Sequence, residues 1–446
     1  MIAVINTEIQ SRELPGNLLL ASSFAEMGGT SLILDQSTLP EVLPTLPPNG
    51  IFHAKSLESS KIRAVQHEKL LFKGYSITAQ DQEHGLLVKD YDVTVRQRFT
   101  SETMSRVTRY FCWGPLDSEA LKDKFPEFRH KIIETGSPRI DLARGGARID
   151  PKVGAYQKEL LFVSSIESHS PSRYWEILRN MKKLSETQRA PELVNQRFNY
   201  WADEIRAIPD ILRLFSMLAS NFPKIPMVVR PHFSEDMAAW EFLTEDFPSI
   251  RVESGRGVDE AISRSQAVLH FGSTVAIESL LAGVPPIALP LFRSSENTLT
   301  PFSNLVSLRP KSLEDVVEEV RKIQSGVTPS LGNQKALLAS RFRVEGTPAS
   351  SVIASEWRSI SEHKRDSHFS DKELRAVRKA LKRSEKRLKT RASSSLISGL
   401  QKSAQQKFPP LSSNQVQELM VSIASQQNVK RANFLLLSPR AILVFP

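Results

Sequence analysis

The sequence contains a single cysteine, Cys112, and no hydrophobic segment long enough to cross a membrane. One cysteine cannot form an intrachain disulfide, so we expect a reducing compartment in which Cys112 is a small buried apolar residue. Residues 434–445 are the longest apolar candidate, but Ser438, Pro439 and Arg440 interrupt them, and they fall short of the roughly 20 residues that span a bilayer. Residues 1–10 lack the basic and apolar regions of a signal peptide. We predict a cytoplasmic protein.

Several motifs of cofactor-dependent enzymes are also missing. Neither G-x-G-x-x-G nor G-x-x-x-x-G-K-[ST] occurs, which argues against dinucleotide-dependent hydride transfer and against P-loop hydrolysis of nucleoside triphosphates. The nine histidines include no H-E-x-x-H, and a cysteine pair is absent. We therefore predict an enzyme that uses no bound cofactor and no metal.

The net charge of +10 would suit a nucleic-acid-binding protein, but it is concentrated in one region. Residues 362–446 contain 17 Lys and Arg against 6 Asp and Glu, a net charge of +11, which leaves −1 on residues 1–361. The body of the chain therefore lacks the electrostatic footprint of a nucleic-acid-binding protein. We predict no nucleic-acid partner.

Short apolar runs alternate with helical patterns along residues 1–361, and this alternation predicts parallel sheets covered by helices. We expect an α/β fold of two doubly wound Rossmann-like domains, residues 1–150 and 151–361, whose strand carboxyl ends line a shared cleft. A basic helical tail, residues 362–446, follows. The predicted strands are 2–5, 31–34, 69–72, 107–113, 131–134, 160–163, 227–229, 267–271 and 286–289.

The second domain carries two candidate ligand-binding segments. Arg230, His232 and Ser234 follow a predicted strand, where a guanidinium and an imidazole can donate hydrogen bonds to phosphate oxygens. The alternative is a plain surface loop. In the second segment Gly272 turns the chain and Ser273 or Thr274 caps a helix, whose N–H groups suit a phosphate ester.

Glu278 lies about one turn into that helix, where its carboxylate could accept hydrogen bonds from ribose hydroxyls. An ordinary capped helix with a solvent-facing glutamate is the alternative. In the first domain, Asp81 and Glu83 stand before Gly85 in a loop. Either carboxylate could take a proton from an attacking sugar hydroxyl, although two acids in a loop are more often only solvated charge.

Together these segments resemble bacterial surface carbohydrate biosynthesis proteins, a family of glycosyltransferases of GT-B type. The resemblance runs from about residue 2 to residue 290 and includes Trp113-Gly114, Ser234-Glu235 and the segment from Gly136 to Asp141. It implies a GT-B-like fold with a donor-binding second domain and an acceptor-binding first domain. The resemblance and the positions of the strand ends also predict further residues that line the cleft. These residues are Glu8, Arg12, Glu13, Gly136, Ser137, Arg139, Ser164 and Ser165.

This sequence departs from the family pattern at Gln82, Ser137, Ser165 and Phe233. Those departures leave open an altered donor or an inactive protein. The histidine and the Ser/Thr elements are also similar to those of CMP-sugar-using sialyltransferases and Kdo transferases, which nominates a CMP-activated donor.

The tail contains one clear helical pattern. Leu374, Val377, Leu381 and Leu388 recur at spacings of 3, 4 and 7, which predicts a helix over 371–391 with a narrow apolar stripe among ten Lys and Arg. A solvated helix, or a short coiled coil, is one interpretation of this pattern. Peripheral binding to the anionic inner leaflet of a membrane is the other.

The sequence thus predicts a metal-independent glycosyltransferase that moves a sugar from a nucleotide donor to a glycan or lipid-linked glycan acceptor of a surface polysaccharide or lipopolysaccharide. A non-hydrolysing nucleotide-sugar epimerase is the alternative within enzymes. An inactive scaffold of a polysaccharide assembly complex is the alternative outside catalysis.

Overall fold

A computed structural model describes residues 1–57, 60–82, 95, 98–144, 159–166, 191–232, 235–253, 257–291, 302–362, 368–391 and 407–446. These residues form two compact units. Unit 1 contains the described residues up to 144 together with 338–446, and unit 2 contains those from 159 to 337. Within this described part of the chain, no helix is long and apolar enough to cross a membrane.

Thirteen strands occur in the described residues: β1 (Ile2–Thr7), β2 (Thr30–Asp35), β3 (Ile51–Ala54), β4 (Ser76–Ala79), β5 (Arg109–Cys112), β6 (Ile132–Glu134), β7 (Glu159–Val163), β8 (Met227–Arg230), β9 (Ile250–Val252), β10 (Ser265–His270), β11 (Pro286–Ala288), β12 (Asn433–Ser438) and β13 (Ala441–Phe445).

The α-helices of the same residues are α1 (Gln10–Glu26), α2 (Leu39–Val42), α3 (Lys61–Phe72), α4 (Ser101–Ser105), α5 (Pro115–Lys124), α6 (Pro138–Arg144), α7 (Pro191–Asn221), α8 (Met237–Thr244), α9 (Val258–Ser263), α10 (Val275–Leu281), α11 (Phe302–Leu305), α12 (Leu313–Gln324), α13 (Gly332–Arg341), α14 (Ala349–Glu362), α15 (Asp371–Arg391) and α16 (Ser413–Gln427).

Unit 1 is built on an eight-stranded sheet of order β12-β13-β2-β1-β3-β4-β5-β6. Strands β1 to β6 are parallel, and the β12–β13 hairpin adds antiparallel to the free side of β2. Successive side chains of a strand point to opposite faces, so Val4 enters one apolar core and Ala3 and Ile5 enter the other. Both faces of the sheet are therefore covered, as a parallel sheet requires.

Unit 2 contains a five-stranded parallel sheet of order β11-β10-β7-β8-β9. Its first strand, β7, is central, and its residues from Leu160 to Val163 form a continuous buried apolar run, because helices cover both faces of the sheet. Phe162 packs edge-to-face on Phe215 of α7, with ring centroids 5.1 Å apart, and this pair joins the longest described helix to the sheet. The predicted α/β class with two doubly wound units is confirmed by these two sheets.

One predicted strand is wrong. Residues 69–72 form the last turn of α3, in which Leu70 is buried while the Phe72 side chain is 93% exposed. A short apolar run fits a strand and a helix equally well, and here only one of its residues faces the core. Strands β3, β4 and β9 are not predicted by the sequence patterns, because polar residues interrupt the expected apolar runs.

The predicted division of the chain differs from the structure at its C-terminal end. Residues 338–446, which span part of the predicted second domain and the whole predicted tail, belong to unit 1. Helix α14 packs on α1, α15 packs on α2, and α16 packs on α1. The helix predicted over 371–391 is present as α15, but its stripe residues Val377 and Leu381 are buried in the core of unit 1.

The C-terminal hairpin is tied to the sheet by a buried ion pair. The Arg440 guanidinium, 6% exposed, contacts the Asp35 carboxylate at the end of β2, which also accepts hydrogen bonds from Ser37. The apolar segment at 434–445 is therefore two strands of unit 1, in which Ile442 and Val444 are buried.

We expect Leu381→Ala to destabilise unit 1 by about 2–5 kcal/mol, the cost of a large-to-small change in a packed core. Its matched control is Lys382→Ala, which changes the neighbouring, exposed residue of the same helix. Urea denaturation of the full chain measures both. Equal free energies of unfolding for the two variants would mean that α15 is not part of the folded unit.

Candidate functional site

The carboxyl ends of three adjacent strands meet in unit 2. From β7 the chain continues to β8 and β9 on one side, and then crosses to β10 on the other side of β7. This reversal of strand order is the topological switch point, where open α/β sheets bind their ligands. The predicted residues Ser164, Ser165, Arg230 and Gly272 all lie within two residues of these strand ends.

Hydrogen bonds hold these strand ends together. The Ser164 N–H donates to the Arg230 carbonyl at 3.0 Å, and the Ser165 hydroxyl donates to the Phe271 carbonyl at 3.1 Å. Ser164 is buried, and Ser165 and His232 are partly exposed. The structure therefore brings these residues to one edge of the sheet. Ser234 lies outside the described residues, as does Phe233.

Gly272 makes the predicted turn. Its φ of +82° lies in the left-handed region that favours glycine, and its N–H donates to Asn304 Oδ1 at 2.9 Å. Ser273 Oγ accepts a hydrogen bond from the Val275 N–H at 3.3 Å, whereas the Thr274 side chain forms no capping bond to α10. Thr274 occupies the cap position, and Ser273, the residue before it, is the one whose hydroxyl contacts the first N–H of the helix.

Arg230 and Glu278 belong to one group of charged side chains. Burial lowers the pKa of Arg230, and the nearby carboxylates of Asp259 and Glu278 oppose that shift. Glu278 is 7% exposed. The interpretation of Glu278 as a solvent-facing residue of an ordinary helix is therefore wrong. A partly desolvated guanidinium at a switch point is suited to a phosphate group, because charge-assisted hydrogen bonds strengthen away from water.

Glu235 is a buried carboxyl group behind this edge. Its Oε2 accepts a hydrogen bond from Trp240 Nε1 at 2.6 Å, and its backbone N–H donates to the His232 carbonyl at 2.8 Å. Burial raises the pKa of Glu235 to about 8, against hydrogen bonds from Ser164 and Trp240 that favour the charged form. Glu235 thus links the end of β7, the loop after β8 and helix α8 as a neutral acid. Sequence analysis included Glu235 only through the family resemblance.

Unit 1 has its own switch point, because β2 and β3 lie on opposite sides of β1. Glu8 follows β1 and forms ion pairs with Lys55, which follows β3, and with Lys407, whose Nζ lies 2.6 Å from Glu8 Oε1. Glu13 in the first turn of α1 is buried and accepts hydrogen bonds from the Glu8 N–H at 2.7 Å and from Arg12 Nη2 at 3.0 Å. The predicted Glu8, Arg12 and Glu13 therefore form one connected set.

Asp81 is held just after β4 and is 1% exposed. Its carboxylate pairs with Arg98, whose Nη2 lies 3.0 Å from Asp81 Oδ2, and its carbonyl accepts a hydrogen bond from Trp113 Nε1 at 2.8 Å. Asp81 is not a solvated loop residue. Glu83, the other predicted base, lies outside the described residues together with His84.

Gly136, Ser137 and Arg139 follow β6 at the same edge. Gly136 has a φ of +83°, and its carbonyl accepts a hydrogen bond from Gln80 Nε2 at 2.7 Å. Ser137 Oγ accepts a hydrogen bond from the Arg139 N–H at 3.3 Å, and both side chains are largely buried. The turn predicted at Gly136 is therefore tied to the loop after β4.

A small polar cavity opens among these elements of unit 1. Gln80 Oε1 is buried and has no hydrogen-bond partner among the described residues. His53 at the end of β3 is 2% exposed; its Nδ1 lies 3.0 Å from Thr78 Oγ1, and burial lowers its pKa to about 3. The imidazole is therefore neutral. The cavity is lined by Glu13, Gly16, Asn17, Leu20, His53, Gln80, Gln82, Pro138 and Arg139.

Sequence analysis did not select His53, Asn17 or Gln80 as site residues. His53 has no neighbouring polar signal, because Ile51, Phe52 and Ala54 surround it in a short strand. Asn17 lies within the apolar pattern of α1, where its Nδ2 donates to Thr7 Oγ1 at 2.9 Å. Only the pairing of strands distant in sequence brings these residues together. Among the described residues, no group of three or more His, Cys, Asp and Glu could hold a metal ion.

Neither a protein-family model nor a curated protein matches the sequence. Among solved structures, the chain is similar to UDP-GlcNAc 2-epimerase from Methanocaldococcus jannaschii, at 10% identity and a TM-score of 0.49 over 80% of this chain and 99% of that one. It is similar to UDP-GlcNAc 2-epimerase from Neisseria meningitidis bound to UDP-GlcNAc, at 11% identity and a TM-score of 0.47 over 80% and 99%.

The wall teichoic acid polymerase TagF is also similar, at 11% identity and a TM-score of 0.44 over 70% of this chain and 72% of that one. At these identities the likeness concerns the arrangement of helices and strands. It assigns no substrate and no reaction to this chain.

The raised pKa of Glu235 predicts a specific pH dependence of stability. Both states hold the proton below the unfolded pKa of about 4.5. As the pH rises from there to about 8, the unfolded chain releases the proton while the folded unit keeps it, so stability falls across this window. We expect Glu235→Gln to flatten that slope, measured by urea denaturation at several pH values.

Glu241→Gln, at an exposed position of α8, is the matched control and should keep the wild-type slope. A slope that is the same for the wild type and Glu235→Gln would show that the buried carboxyl group does not titrate in this window.

Proposed function

We propose that the chain is a glycosyltransferase that moves a sugar from a nucleotide donor to a glycan or lipid-linked glycan acceptor of a surface polysaccharide, such as lipopolysaccharide or capsule. The observation that supports this most is the meeting of Arg230, the two serines after β7 and the Gly272 turn at the switch point of unit 2. A glycosyltransferase needs a phosphate site at such a place, because its leaving group is a nucleotide.

In this proposal unit 2 binds the donor. The Arg230 guanidinium and the His232 ring meet the phosphate, and the backbone and hydroxyl groups of Ser273 and Thr274 add neutral hydrogen bonds. Glu278 accepts hydrogen bonds from ribose hydroxyls, since a buried carboxylate is a strong acceptor. The similarity to CMP-sugar-using transferases makes a CMP-activated donor our first choice. Because the Arg230 guanidinium takes the place of a divalent metal ion at the phosphate in this proposal, activity should survive removal of metal ions by EDTA.

Unit 1 holds the acceptor. A neutral His53, the open Oε1 of Gln80 and the side-chain amides of Asn17 and Gln82 line its small cavity. Such groups suit an uncharged hydroxyl, and the cavity has room for about one such group of an acceptor rather than for a whole sugar. The nearby carboxylates of Glu8 and Glu13 are each engaged by a cation of the same unit. The edge therefore offers uncharged hydrogen-bonding groups beside acids that are already paired with cations.

The chemical step needs a base. A carboxylate takes the proton of an acceptor hydroxyl as that oxygen bonds to the anomeric carbon, and the bond from that carbon to the phosphate oxygen breaks. The nucleotide leaves with the bonding electrons, and Arg230 stabilises the charge that develops on its phosphate. Asp81 and Glu83 are the candidate bases.

We expect His232→Ala to weaken nucleotide binding by about 1.5–3 kcal/mol, the range for a hydrogen bond to a charged group. Isothermal titration with CMP, CDP, UDP, GDP and dTDP first identifies the nucleotide that binds the wild type, and then measures the variant. His130→Ala, at an exposed position of unit 1, should bind like the wild type. An inactive scaffold is indicated if the wild type binds none of the five.

Replacing the true base by its amide should lower turnover by about 100-fold or more and leave nucleotide affinity nearly unchanged, because the base acts in the transition state. Asp81→Asn and Glu83→Gln are compared in a donor-consumption assay. Turnover of both variants at the wild-type rate would place the base elsewhere. Product analysis distinguishes transfer from epimerisation, which would return a nucleotide sugar of altered configuration.

Asp81 needs a control because it is also the partner of Arg98. Arg98→Gln removes the same ion pair and keeps the carboxylate. A purely structural Asp81 predicts that both variants lose thermal stability and keep equal turnover per folded molecule, whereas a catalytic Asp81 predicts that only Asp81→Asn loses turnover.

A further inference from the structure

The outward side of α15 is strongly basic. Helix α15 has eight exposed residues with described side chains, and seven of them are cations. The eighth is Asp371 at the first position. We call the seven cations the basic face: Lys372, Arg375, Arg378, Lys379, Lys382, Arg383 and Lys386.

The basic face lies opposite the buried side of the helix. Val377, Ala380, Leu381 and Ser384 are at most 2% exposed and pack into unit 1. With 3.6 residues per turn, the centre of the basic face falls about half a turn from the centre of this buried side. At a rise of about 1.5 Å per residue, the cations extend over roughly 20 Å. They form a continuous row on the surface of unit 1.

Six of these seven cations, Lys372, Arg375, Arg378, Lys379, Lys382 and Arg383, take part in no ion pair within the described part of the chain. Arg387 differs, because it lies outside the basic face and its Nη1 contacts Glu41 Oε1 at 2.7 Å. The protein therefore pairs Arg387, which lies beside its own surface, whereas these six outward cations can attract an external anion.

We propose that the basic face docks unit 1 on the surface of an anionic phospholipid bilayer through electrostatic attraction alone. An interfacial amphipathic helix would insert its apolar stripe, but the stripe of α15 is already buried in the core of the unit. Each Lys or Arg within a Debye length of an anionic leaflet contributes to the attraction. Several cations in one row therefore add up to binding without insertion of an apolar side chain.

A bilayer fits this face better than a nucleic acid does. The exposed positions from Lys372 to Lys386 carry only Lys and Arg, without an aromatic residue to stack on bases or an amide to pair with base edges. Lipid phosphates form a planar array, which a straight row of cations can meet along its length. Docking on a bilayer adds a membrane partner to the proposed function. It rests on the proposed function only for its purpose, which is to bring the enzyme to a lipid-linked acceptor.

The test is co-sedimentation of the full chain, without nucleotide or sugar, with two kinds of vesicle. One contains phosphatidylcholine alone, and the other contains phosphatidylcholine with about 30% phosphatidylglycerol. The variant is Arg375→Gln, Arg378→Gln, Lys379→Gln and Lys382→Gln together. We expect binding to the anionic vesicles only, weakened roughly 100-fold or more in the variant. Raising the salt from about 0.1 M to about 1 M should abolish binding, because the Debye length falls from about 10 Å to about 3 Å.

The matched control changes four exposed cations of unit 2, Lys224, Arg309, Lys311 and Lys335, to Gln and so alters the net charge equally. It should sediment like the wild type, and both variants should keep the wild-type thermal midpoint and nucleotide affinity. Equal loss in variant and control, binding to neutral vesicles, or no binding of the wild type would each overturn the proposal. Tighter binding to a single-stranded oligonucleotide than to anionic vesicles, lost in the same variant, would assign the face to nucleic acid instead.

Discussion

Parallel strand order is the constraint on which both candidate sites depend. Right-handed crossovers bring every strand of a parallel sheet back in the same direction, so that all carboxyl ends lie on one edge. Where the strand order reverses, two neighbouring crossovers run to opposite sides and leave a gap between them. This occurs beside β1 in unit 1 and beside β7 in unit 2. Polar side chains that would be costly elsewhere in the core collect at these two places, where hydrogen bonds satisfy them.

Much of this arrangement could be predicted from local sequence. Strands β7 and β8 are apolar runs that end at polar residues, and Ser164 and Arg230 were therefore correctly expected at strand ends. The turn at residue 272 could be predicted, because glycine is the residue that a left-handed turn favours. His53 and Gln80 could not, because their meeting depends on the register of β3 with β4 and on the Gly136 turn beyond β6. Such contacts have no signature within a short window of sequence.

The C-terminal residues illustrate a different limit. A helix with a narrow apolar stripe and many cations fits a membrane surface and a protein surface equally well, since both bury the stripe. What decides between them is the surface formed by α2 and β12, two elements that are about 400 positions apart in the sequence. Once α15 packs on them, Val377 and Leu381 are buried in unit 1 and its cations remain on the outside. The sequence predicted the helix, and the tertiary contacts determined which side of it could meet a partner.

The two sheet edges also treat buried charge differently. In unit 1 the acids near the switch point are paired with cations: Glu8 with Lys55 and Lys407, Glu13 with Arg12, and Asp81 with Arg98. Removing one member of a buried pair leaves an uncompensated charge, so these pairs fix the loops that they connect. In unit 2 the side-chain hydrogen bonds to the buried Glu235 come from neutral donors, Ser164 and Trp240, and burial raises its pKa to about 8, so that it is a neutral acid below that pH. Its proton lets it join the end of β7, the loop after β8 and helix α8 without placing a buried negative charge in unit 2. The carboxylates that support the charge of Arg230 are those of Asp259 and Glu278, so the edge keeps a cation for a phosphate while the buried acid behind it stays neutral.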